Sequence, residues 1–225
     1  MINAIIQCRM SSKRFPGKVL SPFMGKPLLL NVVNRLRKTK IKSSIILATS
    51  NEILDEPLVV YAKKIGIDVV RGPRDDVVKR YILALKKHKC EAFFRICGDS
   101  PLLFPNLFDY AISIYNKENV DLVSNVFPKT FPPGMSVELI KSSTFIKNNK
   151  NIVKKIDREH VTKYFYDNSK KFQIFNIKCD KYVNPNLDLT VDEIKDLRNL
   201  ETWYLKKGKK YMKLFPIKFS KMLIK

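Results

Sequence analysis

The chain is organised around one stretch near its start, Ile5-Ile6-Gln7-Cys8-Arg9-Met10-Ser11-Ser12-Lys13-Arg14-Phe15-Pro16-Gly17-Lys18. The apolar residues from Ala4 to Cys8 are typical of a strand covered on both faces. Four cations and a Pro16-Gly17 turn follow, which predicts a basic loop at the carboxyl end of that strand. Because like charges on one loop repel each other, an anion should join them. A polyphosphate held by guanidinium, ammonium and backbone N–H groups fits such a loop, and a solvated basic turn is the alternative.

Bulk composition indicates an ordinary globular α/β protein. The 225 residues suit a single medium-sized domain, and the hydrophobic share of 45% is usual. The cysteines at positions 8, 90, 97 and 179 lack metal-site spacing, so we expect reduced thiols. No signal peptide precedes the first strand and no apolar run reaches membrane-spanning length, so we expect a cytoplasmic protein without a transmembrane segment.

The charge favours anionic ligands rather than DNA or RNA. The chain has 43 basic and 21 acidic residues, a net charge of +22. Only ten of the basic residues are arginines, the lysines are scattered over the whole length, and no recognition helix, zinc finger or RNA-binding signature is present. From Lys206 onward, eight lysines alternate with apolar residues, as in a membrane-surface segment, but Pro216 interrupts the pattern. We therefore favour ordinary packing or a dimer contact for this tail.

Strands and helices alternate in the first half at the rhythm of βαβ units, which predicts a doubly wound parallel sheet. The predicted strands cover residues 4–8, 44–49, 67–71, 92–97 and 120–125, and the predicted helices cover 28–38, 55–64, 75–88 and 105–115. In the second half we predict strands at 135–140, 172–177 and 187–190, and helices at 142–149, 157–168 and 191–206. This half is expected to cover one side of the first sheet.

Two common nucleotide-binding signatures are missing from the first loop. No G-x-G-x-x-G follows the first strand, and Lys18 is followed by Val19 rather than by Ser or Thr. The missing signatures argue against a Rossmann dehydrogenase and against a P-loop kinase. Side-chain cations would have to hold any phosphates.

Asp99 is the first acidic candidate. It follows the strand at 92–97 and Gly98, and ligands of open α/β sheets lie beyond the carboxyl ends of the strands. A carboxylate beside a polyphosphate site usually indicates bridging Mg²⁺. The alternative role is to order the turn before Pro105 or to cap the following helix.

Asp192 is the second acidic candidate. It lies where the predicted strand at 187–190 gives way to a helix, and a second carboxylate would suit a metal held by Asp99. The structural alternative makes Thr190 or Asp192 the N-cap of that helix. His160, in the Arg158-Glu159-His160 run, is by itself more typical of a packed or surface histidine than of a catalytic one.

Several ordered motifs resemble the bacterial cytidylyltransferases that make CMP-activated sugars. Residues 7–20 (QCRMSSKRFPGKVL) resemble the family's Q-x-R-x-x-S-x-R-L-P-G-K-V-L, residues 95–105 (RICGDSPLLFP) resemble R-x-x-G-D-x-P-L-x-x-P, residues 158–162 are REHVT, and residues 188–197 (DLTVDEIKDL) resemble L-T-V-D-x-x-x-D-L. Residues 71–81 (RGPRDDVVKRY) resemble an element of the spore-coat polysaccharide biosynthesis branch. 3-Deoxy-manno-octulosonate cytidylyltransferase and CMP-sialic acid synthetase are relatives of that branch.

The resemblance implies a Rossmann-like, glycosyltransferase-A-type α/β fold with a mostly parallel central sheet. It implies one nucleotidyltransferase domain over residues 1–225, with a nucleotide-binding half (1–126), an acceptor-binding and dimerisation half (127–205) and a basic C-terminal tail (206–225). CTP, an anionic sugar and Mg²⁺ are the implied ligands, and a homodimer is the implied assembly.

The resemblance also assigns site residues. The implied catalytic residues are Arg9, Arg14, Lys18 and Asp99; the nucleotide-binding residues are these four with Ser12 and Arg71; the acceptor-binding residues are Glu138, Arg158 and His160; and the metal ligands are Asp99 and Asp192. Lys13 is expected to face solvent.

The chain departs from the family where P-D-G-L-D-V-E often precedes the sugar-facing strand, because Pro133 and Ser136 replace the two aspartates. We expect transfer of CMP from CTP to a sugar acid for surface polysaccharide or glycan synthesis, with release of pyrophosphate. One alternative is a nucleotidyltransferase acting on a sugar phosphate or another phosphorylated acceptor. A more distant alternative is a non-catalytic basic protein that binds nucleic acid or a membrane surface.

Overall fold

The structure, a computed structural model, describes residues 1–41, 43–179, 187–214 and 219–224. Its strands are β1 (Ile2–Gln7), β2 (Pro22–Phe23), β3 (Lys26–Pro27), β4 (Ile45–Ser50), β5 (Asp68–Gly72), β6 (Ala92–Cys97), β7 (Leu122–Ser124), β8 (Glu138–Lys141), β9 (Ile174–Cys179) and β10 (Phe219–Ile224). Its α-helices are α1 (Leu28–Leu36), α2 (Glu56–Lys64), α3 (Val77–Lys87), α4 (Pro105–Lys117), α5 (Ser142–Asn148), α6 (Lys155–Glu159), α7 (Lys163–Asp167), α8 (Ile194–Trp203) and α9 (Lys209–Leu214). A π-helical turn, Tyr204–Gly208, joins α8 to α9.

One large sheet runs through the described residues in the strand order β10-β9-β7-β8-β6-β1-β4-β5, and β2 and β3 form a separate hairpin. Strands β6, β1, β4 and β5 are parallel neighbours. Strand β8 is antiparallel to both β6 and β7, β9 is parallel to β7, and β10 is antiparallel to β9. The predicted α/β fold with a mostly parallel central sheet is confirmed.

The second half extends the sheet as well as covering it, which corrects the expectation that it lies only on one side. Strand β8 inserts between β6 and β7, and β9 and β10 continue the sheet beyond β7. The reason is visible in β8, where Leu139 packs into the core on one face and Ile140 into the core on the other. A strand that is apolar on both faces belongs inside a sheet with two covered faces.

Alternating side chains build these two cores. In β1, Ala4 and Ile6 pack with α1 and α4 on one face, whereas Ile5 packs with α3 and α5 on the other. All three side chains are completely buried, so β1 is fixed in register at the centre of the sheet. No helix in the described part of the chain combines the length and the apolar character needed to cross a bilayer.

Two predicted elements differ in the structure. Residues 187–190 are irregular rather than a strand, because Leu189 N donates to Pro133 O (3.0 Å) and Val191 N donates to Asp99 O (2.9 Å), which are loop carbonyls. The predicted helix at 157–168 is divided into α6 and α7 at His160, and this break lets Val161 enter the core completely.

The carboxyl ends of β1 and β6 set the position of the candidate site. Gln7 and Cys97 are register partners, so the loops that follow them leave the sheet side by side. Gly98 N donates to Gln7 O at 3.1 Å, and a Cβ at position 98 would lie 2.7 Å from the Cβ of Cys8. Glycine is needed here for close approach of two backbones, since the second loop would otherwise be pushed away from the first.

Candidate active site

The loop after β1 is folded back by its own backbone. The carbonyl of Met10 accepts hydrogen bonds from Ser12 N and Gly17 N, both at 2.9 Å. Gly17 has a φ of 74°, a conformation that favours glycine. The turn leads into a short 3₁₀ helix, Lys18–Leu20, in which Val19 is buried. The loop therefore brings Lys18 back to the end of the sheet.

Asp55 anchors this loop through hydrogen bonds, a role that no sequence motif predicted. Its side chain is buried and accepts hydrogen bonds from Met10 N (2.7 Å), Thr49 Oγ1 (2.8 Å), Ser50 N (2.9 Å) and Ser50 Oγ (2.5 Å). Burial alone would raise the pKa of Asp55, but these hydrogen bonds outweigh it and lower the pKa below its usual value. Asp55 is therefore ionised at neutral pH and fixes the loop to the end of β4.

Lys18 lies at the centre of the site and is buried. Its Nζ donates to Asp192 Oδ1 at 2.9 Å and to the Val191 carbonyl at 2.8 Å, and it lies 3.4 Å from Asp99 Oδ2. The structure thus brings together three predicted site residues from three separate parts of the chain.

Arg14 adds a second cation to Asp192, with Nη2 2.8 Å from Oδ2. Burial would raise the pKa of Asp192, but Lys18 and Arg14 outweigh it and lower the pKa. The carboxylate is available to them because Glu193, rather than Thr190 or Asp192, is the N-cap of α8 and forms a capping box with Asp196.

A cavity of about 490 Å³, here called the larger cavity, surrounds these groups. Among its described lining residues, six are Lys or Arg and three are Asp or Glu: Arg9, Lys13, Arg14, Lys18, Arg74, Arg80, Asp99, Glu159 and Asp192. Ser12 and His160 also line it. A concave site with this excess of cations favours a polyanionic ligand.

Arg71, predicted to bind the nucleotide, does not line the larger cavity. Its Nη1 pairs with Glu56 at 2.5 Å, while Nε and Nη2 donate to the carbonyls of Ser50 (3.1 Å) and Glu52 (2.9 Å). Arg74, three residues further on, lines the cavity instead. The motif therefore contains a residue that lines the larger cavity, but Arg71 itself is held outside the cavity wall by its pairing with Glu56.

Arg158, predicted to contact the acceptor, is also occupied elsewhere. Its Nε lies 2.8 Å from Asp76 Oδ2, and Nη1 donates to the Ile152 carbonyl at 2.9 Å. Asp76 is the N-cap of α3, so Arg158 ties α6 to that helix. Of the REHVT motif, Glu159 and His160 reach the cavity wall.

Arg80 was missed by the sequence reasoning. It is 3% exposed and lines the larger cavity, with Nη1 3.4 Å from the Ala48 carbonyl. Burial lowers its pKa, and within the described residues its Nε has no hydrogen-bond partner. Its place in the sequence could have indicated a buried role, because Arg80 follows Val77 by one helical turn and so lies on the apolar face of α3.

A second cavity of about 230 Å³, here called the smaller cavity, adjoins the larger one. Asp99 lines both. Arg95, Cys97, Lys129, Pro133 and Ser136 are among the other lining residues. Burial raises the pKa of the Cys97 thiol to about 11, so it stays protonated at neutral pH and is a poor nucleophile.

Glu138, predicted to contact the acceptor, lies behind the smaller cavity rather than in its wall. It is 2% exposed, Arg95 Nη1 lies 2.6 Å from its Oε2, and Tyr166 OH donates to its Oε1 at 2.6 Å. Ser124 Oγ lies 2.8 Å from the Tyr166 hydroxyl and extends the network. Burial and the neighbouring Glu138 raise the pKa of Tyr166 well above its ordinary value, so the phenol remains a donor.

The donor set fits Mg²⁺. The carboxylates of Asp99 and Asp192 converge on one cationic atom, Lys18 Nζ, which shows that both can face the same positive charge. Mg²⁺ typically takes one or two protein carboxylates and completes its shell with phosphate oxygens and water. In the described part of the chain no group of three or more His, Cys, Asp or Glu side chains could hold a metal by itself. A metal here would depend on ligand oxygens.

Comparison with known proteins identifies relatives of this chain. A family model described as cytidylyltransferase matches residues 3–221. The spore coat polysaccharide biosynthesis protein SpsF of Bacillus subtilis is 27% identical over 212 residues, which cover 92% of this chain and 87% of the relative. A 3-deoxy-manno-octulosonate cytidylyltransferase of Geobacter metallireducens is 30% identical over 112 residues, 50% of this chain and 43% of the relative.

A solved structure extends the similarity to three dimensions. A cytidylyltransferase from Leptospira borgpetersenii serovar Hardjo-bovis superposes with a TM-score of 0.85 at 30% identity, covering 91% of this chain and 86% of that one.

Proposed function

Because the chain belongs to the cytidylyltransferase family, we propose that it transfers CMP from CTP to an anionic sugar, a sugar acid, and releases pyrophosphate. The observation that carries the proposal is the convergence on Lys18 Nζ, with Asp192 at 2.9 Å and Asp99 at 3.4 Å beside a loop rich in cations. This arrangement offers cations to a triphosphate and carboxylates to a divalent metal in one cavity.

In the proposed complex, the triphosphate of CTP binds to the loop after β1. Arg9, Arg14 and Lys18 contact its oxygens, and Arg74 replaces Arg71 as a cation at the cavity wall. Arg14 pairs with Asp192 and Arg9 lies 3.8 Å from Asp75, so a bound phosphate would compete with these carboxylates for the two guanidinium groups. Forked guanidinium contacts suit phosphate oxygens in number and geometry.

Asp99 and Asp192 would hold Mg²⁺ together with phosphate oxygens. When bound there, the metal supplies charge neutralisation and polarisation of the phosphate oxygens. The protein residues position the reactants and stabilise charge, since phosphoryl and nucleotidyl transfer demand little covalent work from the protein.

The proposed reaction balances without a cofactor that changes oxidation state. The oxygen of an acceptor hydroxyl forms a bond to the α-phosphorus of CTP, and the bond from that phosphorus to the bridging oxygen of the β-phosphate breaks. The hydroxyl proton leaves to solvent and pyrophosphate departs with the bridging oxygen. Arg9, Arg14 and Lys18 stabilise the negative charge that develops on the leaving group.

The acceptor class is proposed from the named relatives. One relative acts in spore coat polysaccharide biosynthesis, and another is named for the sugar acid 3-deoxy-manno-octulosonate. A sugar acid acceptor and a product used for surface polysaccharide or glycan synthesis follow from these names as proposals. We propose a homodimer on the same family grounds.

A pyrophosphate-release panel tests the function. The four ribonucleoside triphosphates are each combined with Mg²⁺ and with sugar acids, sugar phosphates and neutral sugars. We expect release with CTP and a sugar acid. Release only with sugar phosphates would replace the acceptor class, and release with another triphosphate would replace the donor. Salt-dependent binding to polyanions with no release from any pair would reject catalysis in favour of the non-enzymatic alternative.

A further inference from the structure

The smaller cavity presents one guanidinium with a fixed orientation. Arg95 projects from β6, and its side chain is 15% exposed. Nε lies 3.3 Å from Gln7 Oε1, and Nη1 lies 2.6 Å from Glu138 Oε2. Within the described part of the chain, these contacts leave Nη2 as the nitrogen able to meet a molecule in the cavity. A guanidinium that lines a cavity is well suited to bind a carboxylate or phosphate oxygen there.

The partners of Arg95 are themselves fixed. Both oxygens of the Glu138 carboxylate are used inside the protein, one by Arg95 and the other by Tyr166. Ser124 Oγ accepts from Val126 N at 3.1 Å while it contacts the Tyr166 hydroxyl. Glu138 is 2% exposed and does not line the smaller cavity, so its carboxylate is not placed to contact a ligand there. Its effect on a ligand would act through the orientation of the guanidinium.

The remaining wall favours an anion. Among the described lining residues, Lys129 is a second cation and Asp99 is the single carboxylate, and Asp99 Oδ2 already faces Lys18. Ser136 contributes a neutral side chain. Gly134 has a φ of +87°, and a Cβ there would lie 2.6 Å from the backbone of Leu189, so the turn packs directly onto the irregular segment that completes the wall.

The position of the smaller cavity relates it to the proposed reaction. Asp99 lines both cavities, and Ser100 Oγ donates to its Oδ1 at 3.1 Å from the side of the smaller one. A molecule in the smaller cavity thus lies next to a carboxylate shared with the proposed CTP site. The volume of about 230 Å³ suits part of a sugar derivative rather than a nucleotide, since most ligand pockets are roughly 300–1,000 Å³.

We propose that Arg95 binds the oxyanion of the acceptor in the smaller cavity, with Lys129 at the rim, and that Glu138 is the positioning residue for that guanidinium. The inference rests on the proposed function, because only a transferase has an acceptor. It moves acceptor binding from Arg158 and Glu138 to Arg95. The shared ligand chemistry is a carboxylate or phosphate group on a sugar.

Calorimetric titration of the full chain, in the presence of CTP and Ca²⁺, tests the binding site separately from turnover. The probes are 3-deoxy-manno-octulosonate, mannose 6-phosphate and neutral mannose, which separate carboxylate from phosphate and both from an uncharged sugar. Lys129→Glu reverses the charge at the rim of the smaller cavity, and Lys170→Glu reverses an exposed charge in the 3₁₀ turn Ser169–Lys171 as the matched control. Arg95→Lys retains the charge and removes the fork.

We expect an anionic probe to bind the unaltered chain, and neutral mannose to bind at least roughly tenfold more weakly. Lys129→Glu and Arg95→Lys should each weaken anionic binding roughly tenfold, with CTP affinity unchanged and Lys170→Glu without effect. Equal affinity in the Lys129→Glu and unaltered chains, or no binding of either anionic probe, would overturn the inference. Pyrophosphate release from the panel judges the proposed function independently.

Glu138→Gln separates positioning from a merely structural role. A positioning role predicts a roughly tenfold higher KM for the acceptor with the KM for CTP unchanged. A loss confined to kcat, in proportion to the fraction of folded protein, would overturn the assignment of Glu138.

Discussion

The two cavities that meet at Asp99 differ in how exposed their arginine–carboxylate pairs are. In the larger cavity, Arg14 has a side chain that is 61% exposed and is paired with Asp192, whose side chain is 36% exposed. In the smaller cavity, the Arg95 side chain is 15% exposed and is paired with Glu138, which is almost completely buried. The Arg14–Asp192 pair is open to exchange with a ligand, whereas the Arg95–Glu138 pair, like the buried Lys18 at the centre of the larger cavity, is built into the core.

The difference indicates two strategies for binding anions. An exposed ion pair contributes little to stability, so its members can change partners at small cost. A buried pair loses much free energy when one partner is removed, so it keeps its geometry. The larger cavity therefore suits a flexible, highly charged chain such as a triphosphate, and the smaller one suits a single group recognised by shape.

The largest effect should come from changing Asp99, which lines both cavities. Asp99→Asn removes a proposed metal ligand and should lower the rate of pyrophosphate release by about 10³-fold or more, about 4 kcal/mol, with an unchanged circular dichroism spectrum. Asp68→Asn, at the amino end of β5, is the matched control and should retain activity. Near-normal release by Asp99→Asn would contradict the proposed metal-binding role of the carboxylate that lines both cavities.

The next effect tests the buried pair as a contributor to stability. Glu138→Gln leaves Arg95 without its counter-charge and should lower the free energy of unfolding by about 3 kcal/mol, measured by urea denaturation. Asp167→Asn disrupts the exposed pair with Lys163 and should leave the free energy of unfolding nearly unchanged. Similar small losses in both variants would show that burial does not distinguish the two kinds of pair.

The loop of the larger cavity should owe its rigidity to Asp55 rather than to its cations. Asp55→Asn should lower the free energy of unfolding by about 1–3 kcal/mol at pH 7, because the ionised carboxylate accepts several hydrogen bonds. The pKa of Asp55 is lowered in the folded chain, so its stabilisation is complete above the unfolded pKa of about 3.9 and is lost as pH falls through the folded value.

Urea denaturation at a series of pH values measures this dependence. The difference between Asp55→Asn and the unaltered chain should be constant from neutral pH to about pH 5 and should shrink below about pH 4. A difference that grows on acidification would contradict the sign of the pKa shift.

The smallest effects concern exposed cations of the first loop. Arg14→Met should raise the KM for CTP roughly tenfold, because the guanidinium reaches Asp192 and can reach phosphate oxygens. Lys13→Met should change the same KM by roughly twofold or less, since Lys13 lines the cavity as an exposed side chain with solvent around it. Equal effects would indicate a general response to charge instead of specific contacts.

Local sequence patterns predicted much of the first half. Apolar runs identified β1, β4 and β6, because strands covered on both faces cannot be polar. The strand-end rule then placed Asp99 beside the basic loop. The insertion of β8 between β6 and β7 could not be read in this way, because strand order depends on contacts between distant segments.

The contacts of individual side chains were harder to predict than the positions of the loops that carry them. Arg71 and Arg158 stand in motifs that resemble the family, yet Glu56 and Asp76 hold them away from the larger cavity. Asp55 carries no motif, and its importance follows from hydrogen bonds to Met10 and Ser50, which the fold brings to it. A motif names a residue type and a place on the chain, whereas its neighbours in space decide what the side chain contacts. The predicted role of the tail rests in part on residues 215–218 and 225, which lie outside the described residues.

Gly98 fixes the spacing of the two loops from which both cavities are built. Its amide donates to Gln7 O, and a Cβ at this position would lie 2.7 Å from the Cβ of Cys8, so the chain after β6 lies directly against the end of β1. The two loops that carry residues of both cavities therefore start from a fixed main-chain separation. A residue with a Cβ at position 98 would push them apart and would lengthen the distance between a triphosphate and an acceptor bound as proposed.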